Sequence, residues 1–211
     1  MRPILARLAL VAAAALCLGM QAGEDEGFKH LVQGDDPAQF QLVGIDAKTI
    51  SIKDGDEVHV SGKPNGYFAT KKSYKNYVLK FEWKYERPDG LAADAKFKGN
   101  SGLLLHIQGE AKVWPRCIEF QLANSEVGKI YPIDGARFSG KWDRDAYTKA
   151  IRPVGEWNKE QVTSKDGALT CTLNGTVVTG GTGANPDHGA IGWQSEGAPI
   201  VFRNIKIKPL D

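Results

Sequence analysis

Two short stretches hold the residue types able to move protons and grip a polar ligand: Leu103-Leu104-Leu105-His106-Ile107, and Trp114-Pro115-Arg116-Cys117-Ile118-Glu119-Phe120-Gln121. In an extended strand successive side chains point to opposite faces. Glu119 and Gln121 therefore share a face, about 7 Å apart along the strand, while Ile118 and Phe120 take the other. The same alternation turns His106 away from Leu103, Leu105 and Ile107. Were the two strands neighbours in one sheet, an imidazole, a carboxylate and an amide would converge on its outer face, which is a base with its positioning groups. An ordinary solvated strand face carries the same pattern, so the constellation alone leaves both readings open.

Other polar and aromatic residues fall beside turns. Trp114, Trp142, Trp193, Tyr131 and Tyr147 have rings able either to stack on a sugar or to fill a core. Gln194 and Glu196 follow Trp193. Arg203 shares strand phase with Val201, Ile205 and Ile207, which predicts a partly buried, paired arginine. There is no P-loop, no GxGxxG and no HExxH, and His30, His59, His106 and His188 are too scattered for a zinc cluster. The sequence implies no cofactor and leaves a divalent cation open. A conventional retaining glycosidase needs two carboxylates roughly 5 Å apart. Here the position alternating with Glu119 is Gln121, an amide, so ordinary two-carboxylate hydrolysis is disfavoured.

Strands must position these groups. Period-two patterning recurs along the chain, most clearly in Tyr77 to Tyr85, where Tyr77, Leu79, Phe81, Trp83 and Tyr85 take one face and Lys80, Glu82 and Lys84 the other. Shorter versions span Thr49 to Ile52, Glu57 to Val60, Gly102 to Ile107, Cys117 to Leu122, Leu169 to Leu173, Ala190 to Gln194 and Val201 to Ile207. Asp54-Gly55, Pro64-Asn65-Gly66, Asp89-Gly90, Asp166-Gly167 and Asn174-Gly175 supply turns. Many strands without interleaved helices need two stacked sheets or a closed one. The expectation is an all-β, two-sheet jelly-roll sandwich. Two long connections, Glu86 to Gly99 and Pro132 to Glu156, are placed to rim a site.

Composition bounds the rest. The 211 residues, 42% of them hydrophobic, suffice for one sizeable domain, and 24 glycines against 2 methionines point away from a helical bundle. Arg2 and Arg7, then an uncharged apolar run over Leu8 to Leu18 and Met20-Gln21-Ala22, read as a secretory signal peptide over residues 1–22. The run is shorter than the roughly 20 residues of a membrane span. Residues 23–211 are then a single exported domain, periplasmic or extracellular. Without Arg2 and Arg7 it holds 25 basic and 25 acidic residues, which gives no electrostatic case for nucleic acid. The expected partner is a small neutral molecule rather than nucleic acid or membrane. Cys117 alternates with polar residues and Cys171 with leucines, which argues against a disulfide between them.

Gly66-Tyr67-Phe68-Ala69-Thr70-Lys71-Lys72-Ser73-Tyr74, Leu79-Lys80-Phe81-Glu82-Trp83, Asn100-Ser101-Gly102, Glu119-Phe120-Gln121, Gly155-Glu156-Trp157-Asn158, Leu173-Asn174-Gly175, Ile191-Gly192-Trp193-Gln194 and Phe202-Arg203-Asn204-Ile205 follow one another in an order that resembles the 3-keto-disaccharide hydrolase family, long known as a domain of unknown function. The resemblance implies a concanavalin A-like lectin/glucanase fold and a sugar already oxidised to a ketone at carbon 3. That ketone acidifies the hydrogen on carbon 2, so a single base can remove it and the enolate can expel the group on carbon 1. On that chemistry Glu119 or His106 is the expected base, Gln121, Arg116 or Lys84 the group expected to polarise the ketone, and Asn100, Trp193, Gln194, Glu196 and Trp142 the expected further substrate contacts. The sequence departs from the family pattern at His106, often Arg in members, and at Glu196, where many carry His or Asp. Two other readings compete: a non-catalytic carbohydrate-binding module, marked by stacking aromatics without a poised base, and a subunit whose polar face another protein covers.

Overall fold

The computed structural model describes residues 25–211, so the leader read over residues 1–22 lies outside the described residues. In chain order the strands are β1 (Lys29–His30), β2 (Gln41–Val43), β3 (Ile50–Lys53), β4 (Glu57–Val60), β5 (Gly66–Ala69), β6 (Tyr77–Tyr85), β7 (Gly102–Gln108), β8 (Arg116–Gln121), β9 (Ile130–Ile133), β10 (Arg137–Trp142), β11 (Asn158–Lys165), β12 (Ala168–Leu173), β13 (Thr176–Asn185), β14 (Ala190–Ser195) and β15 (Ile200–Pro209), with helix α1 (Arg144–Ala150) after β10. They form two antiparallel sheets. The larger runs β10-β13-β12-β11-β6-β15-β4-β3, with β1 added on β15; the smaller runs β2-β5-β14-β7-β8-β9. Asp54-Gly55, Asp166-Gly167 and Asn174-Gly175 each hold two successive positive φ angles, the geometry that closes β3–β4, β11–β12 and β12–β13 as tight hairpins. No helix among the described residues is long and apolar enough to cross a membrane.

The sheets stack through aromatic rings. Phe68 of β5 lies parallel to Trp193 of β14 at 5.3 Å, and Phe81 of β6 meets Trp193 edge-on at 6.2 Å. Trp193 is 0% exposed. It is therefore a core residue rather than the sugar contact expected from its neighbourhood, and truncating such a ring costs about 3–5 kcal/mol. Connection Pro132 to Glu156 is also not a plain loop, since it contains the end of β9, all of β10 and α1. Asp143 starts that helix by accepting hydrogen bonds from the Asp145 and Ala146 amides, both at 3.0 Å. Glu86 to Gly99 stays largely irregular and is pinned by Arg87 to Asp94 at 2.6 Å.

One extra residue in β7 changes the site. Against β8, Leu105 pairs with Ile118 but Gln108 with Arg116, and against β14, Leu104 pairs with Gly192 but Ile107 with Ala190. The surplus residue is His106, at φ 59°, a β-bulge. Gly189 lies against it so closely that a Cβ there would collide with the His106 and Ile107 backbone. The bulge swings His106 into the interior instead of onto the outer face. Its Nδ1 lies 3.0 Å from the Pro186 carbonyl oxygen and so carries the proton. Ser164 Oγ donates to the Lys75 carbonyl, which leaves the Tyr77 hydroxyl, at 3.3 Å, to donate to Nε2. Burial holds this imidazole down at about 4, hence neutral.

Cys117 and Cys171 are both unpaired, buried thiols. Cys117 packs with Val43, Tyr67, Ala69 and Leu104 on the outer face of the smaller sheet, whereas Cys171 lies between the sheets, its thiol 3.5 Å from Glu160 Oε1. Glu160 also accepts from Trp83 Nε1 at 3.1 Å, and burial pushes it up to about 8. The folded chain keeps this proton to about pH 8 while the unfolded chain releases it near 4.5, so stability falls as pH rises across that window. His106 acts in the opposite direction: the unfolded chain binds its proton below 6.5 and the folded chain only near 4, so stability falls as pH drops across that interval. Glu160→Gln should melt above wild type at pH 8.5, by an amount on the order of a few kcal/mol, and converge on it near pH 4.5. Thermal melts at the two pH values check this.

Candidate functional site

The register of the smaller sheet lays out its outer face as rows. One row runs Ala69–Gly192–Leu104–Glu119–Tyr131 across β5, β14, β7, β8 and β9. The next runs Val43–Tyr67–Gln194–Gly102–Gln121, and Glu196 pairs with Asn100 beyond it. Gly102 is the centre. Gln194 and Gln121 flank it on either side, Asn100 lies two residues along its own strand, and Glu119 and Glu196 occupy opposite diagonals. The row lacks a side chain at its centre, and this gap is taken up by the tips of Glu119 and Gln194, so that a Cβ there would collide with both Glu119 Oε1 and Gln194 Oε1. Glycine inside a strand marks such a close approach.

The groups around the gap are buried and incompletely satisfied. Glu119 is 6% exposed and Gln194 3%. Gln194 Oε1 and Asn100 Oδ1 are buried with no hydrogen-bond partner, a costly state that a ligand bringing donors relieves. Burial, then the charge of Glu196, then that of Glu126, push Glu119 up to about 8. Burial also raises Glu196, against a hydrogen bond from the Asn100 side chain. Gln121 Oε1 accepts from the Leu122 and Ala123 amides at 2.9 and 2.8 Å, which leaves its Nε2 as the donor it presents. Asn100 and Gln121 also line a cleft of about 640 Å³, walled by Lys98, Glu126, Tyr147 and Arg152. Both long connections reach this cleft.

The site thus unites Glu119, Gln121, Asn100, Gln194 and Glu196, and excludes the other expected members. His106 is inside the core. Arg116 has the phase of Ile118 rather than of Glu119, and its guanidinium holds Asn185 Oδ1 at 2.7 Å and Gln108 Oε1 at 3.3 Å. Lys84 projects from the outer face of the larger sheet, 4.6 Å above the Trp157 ring. Arg203 shares that ring at 3.7 Å and bonds Glu82 at 2.8 Å; it is paired as expected, but on the outer face, because a bulge between Arg203 and Lys206, with Asn204 at φ 52°, takes it out of phase with the core residues Ile205 and Ile207. Trp142 is spent on packing, with Nε1 on the Val127 carbonyl and its ring 5.5 Å from Tyr147. Gly102 itself and Tyr67, beside Gln194, were not singled out by sequence reasoning as site residues; the signal for Gly102 was a glycine opening an apolar strand. Among the described residues no group of three or more His, Cys, Asp or Glu is placed to hold a metal ion.

Fold and site together define a β-sandwich protein of lectin and glucanase architecture, with a proton-holding carboxyl amid amides on one sheet. A solved structure from Parabacteroides distasonis, classed provisionally as a glycosyl hydrolase, is 24% identical with TM-score 0.64, covering 89% of this chain and 96% of that one. A Bacillus subtilis protein of unknown function with a galectin-like fold matches at TM-score 0.56 and 10% identity, over 86% and 98% of the two chains. A carbohydrate-binding module, also from Bacillus subtilis, matches at 0.50 and 11%, over 86% and 99%. No curated protein matches the chain. The chain belongs to the 3-keto-alpha-glucoside-1,2-lyase-like domain family, which matches residues 26–208. It is a carbohydrate-active, glycosyl-hydrolase-like protein.

Filling the gap tests the site without breaking the sheet. In Gly102→Ala the colliding atoms are the tips of two side chains, which can swing aside. The expected result is a loss of stability of about 1 kcal/mol or less, as for substitutions that spare the core, with carbohydrate binding and turnover both lost. Melting curves and calorimetric titration check the two halves.

Proposed function

We propose that this is an exported enzyme that cleaves glycosides carrying a ketone at carbon 3, by removing the proton on carbon 2 and expelling the group on carbon 1. The observation that carries this reading is Glu119, a carboxyl 6% exposed and pushed up to about 8, two residues along its strand from the cleft-lining Gln121 and among amides rather than opposite a nucleophile on its own strand. Groups poised near neutral pH transfer protons best in both directions. The 3-keto group makes the carbon 2 hydrogen acidic, so the chemistry asks for proton transfer and a donor for the enolate oxygen and needs no glycosyl-enzyme bond. With Arg116 and Lys84 facing elsewhere, Gln121 Nε2 is the donor for that oxygen. Conjugate addition of water to the resulting enone gives the hydrolysis product.

A pure binding module would carry aromatic platforms beside the amides. Trp193 and Trp142 are engaged in packing, and the one exposed tryptophan among the described residues, Trp114 at 51%, precedes β8 on its connecting loop. The family membership and the buried acid support the enzyme reading instead. Purified protein should release free sugar from a 3-keto-disaccharide and leave the unoxidised parent intact, with and without chelator. Glu119→Gln should lower turnover by about 10²–10⁴-fold, the usual worth of general acid–base catalysis. Binding of either sugar without cleavage would make the chain a lectin-like module.

A further inference from the structure

A sheet that offers Gln121 where a second carboxylate would alternate with Glu119 still brings a second carboxyl to the same gap, from another strand. Glu196 continues the outward phase of Gly192 and Gln194 just past the end of β14, and its partner across the sheet is Asn100. The Asn100 side chain hydrogen-bonds to Glu196 while Asn100 Oδ1 has no partner. The donor is therefore the amide NH2, which favours an ionised carboxylate and offsets part of the rise that burial imposes on Glu196. Glu196 is also half-buried and in touch with solvent. Glu119, on the opposite diagonal of the Gly102 gap, is in the reverse situation: almost wholly buried, with Oε1 facing Gln194 Oε1 across the space a side chain would fill. A carboxyl so enclosed, beside a buried amide oxygen that has no partner, is favoured with its hydrogen on.

We propose that Glu196 is the base of this site and Glu119 its acid, acting on the two sides of a sugar seated over Gly102. The assignment rests on the 3-keto-glycoside reading above and divides its single proton-handling role between two residues. The Glu196 carboxylate takes the proton from carbon 2, and the C–H electron pair becomes the carbon 2–carbon 3 double bond of an enolate whose oxygen meets Gln121 Nε2. As that pair returns to form the carbon 1–carbon 2 double bond, the bond from carbon 1 to the leaving oxygen breaks. The leaving oxygen keeps its electrons and takes the proton of Glu119. The products are an enone and a free alcohol, with Glu196 protonated and Glu119 ionised. Proton exchange with water restores the pair.

Carbon 2 exchange separates the two roles. The purified protein and its Glu119→Gln, Glu196→Gln and Glu196→Asp variants are incubated in D2O with a 3-keto-disaccharide and, separately, with a 3-keto-glycoside of 4-nitrophenol, a leaving group that needs no acid. Deuterium at carbon 2 and release of alcohol are followed, with circular dichroism and melting temperature as folding controls. Glu119→Gln should lose disaccharide cleavage about 100-fold or more, yet keep carbon 2 exchange and cleave the nitrophenyl substrate within about tenfold of wild type. Glu196→Gln should lose exchange and cleavage of both substrates about 100-fold or more, and Glu196→Asp, with its carboxylate set back by one methylene, should recover part of each. Retained exchange in a folded Glu196→Gln protein, or its loss in Glu119→Gln, overturns the assignment and leaves the activity standing. A wild-type protein inert towards both substrates overturns the activity and the assignment together.

Discussion

Everything on the outer face of the smaller sheet follows from what is trapped beneath it. Trp193, Phe68 and Phe120 are driven into the space between the sheets, where they meet Phe81 and Phe202 of the larger one. A strand has only two faces. Once Trp193 is inside, Gln194 must be outside; once Phe120 is inside, Glu119 and Gln121 must be outside; and Leu103 fixes Gly102 in the same way. The hydrophobic packing that stabilises the sandwich therefore also sets the register of the polar groups around the gap. A slip of one residue in β8 would bury a carboxylate in an aromatic core and carry Ile118 and Phe120 to the exterior.

The outer face is unusual in being nearly as dry as the core. Its apolar half, from Val43 and Tyr67 to Cys117, packs as a small cluster of its own, and the polar half inherits that low exposure. Desolvation is accordingly the leading influence on Glu119. The same physics acts on Glu160 between the sheets, with a different outcome. Glu160 is held by Trp83 and Cys171 on fixed sides, whereas the gap at Gly102 leaves the amide oxygen of Gln194 without a partner. One buried acid has its hydrogen-bond partners; the other lies beside an amide oxygen that has none.

Much of this arrangement was legible from residue alternation. The strands from Tyr77 to Tyr85 and from Cys117 to Leu122, the hairpin glycines, and the shared face of Glu119 and Gln121 all follow from period-two spacing. His106 did not, because a bulge adds one residue and reverses the phase, and nothing in Leu105-His106-Ile107 announces it; the glycine that permits it, Gly189, lies just ahead of β14, more than eighty residues on. Alternation also bears on Trp193: two adjacent strand residues cannot share a face, so a site containing Gln194 excludes its neighbour. Lys84 and Arg116 needed the sheet order and the strand-end phase, which depend on pairings distant in sequence. Asn100 stands out through the family resemblance and Glu196 through its place after Trp193 and Gln194, and only the register explains why they belong beside Gly102.

The first described residues lie along the last strand. Asp25 reaches Lys206 at 2.7 Å, the Glu26 carbonyl accepts from Lys208, and Phe28 lies 4.4 Å beneath the Lys80 ammonium, all on the outer face of the larger sheet. Both ends of the described chain are thus anchored on the sheet opposite the one that carries Glu119. A tether joined to either terminus would hold the molecule by its back, leaving the Gly102 gap turned outward to whatever glycan the surroundings present.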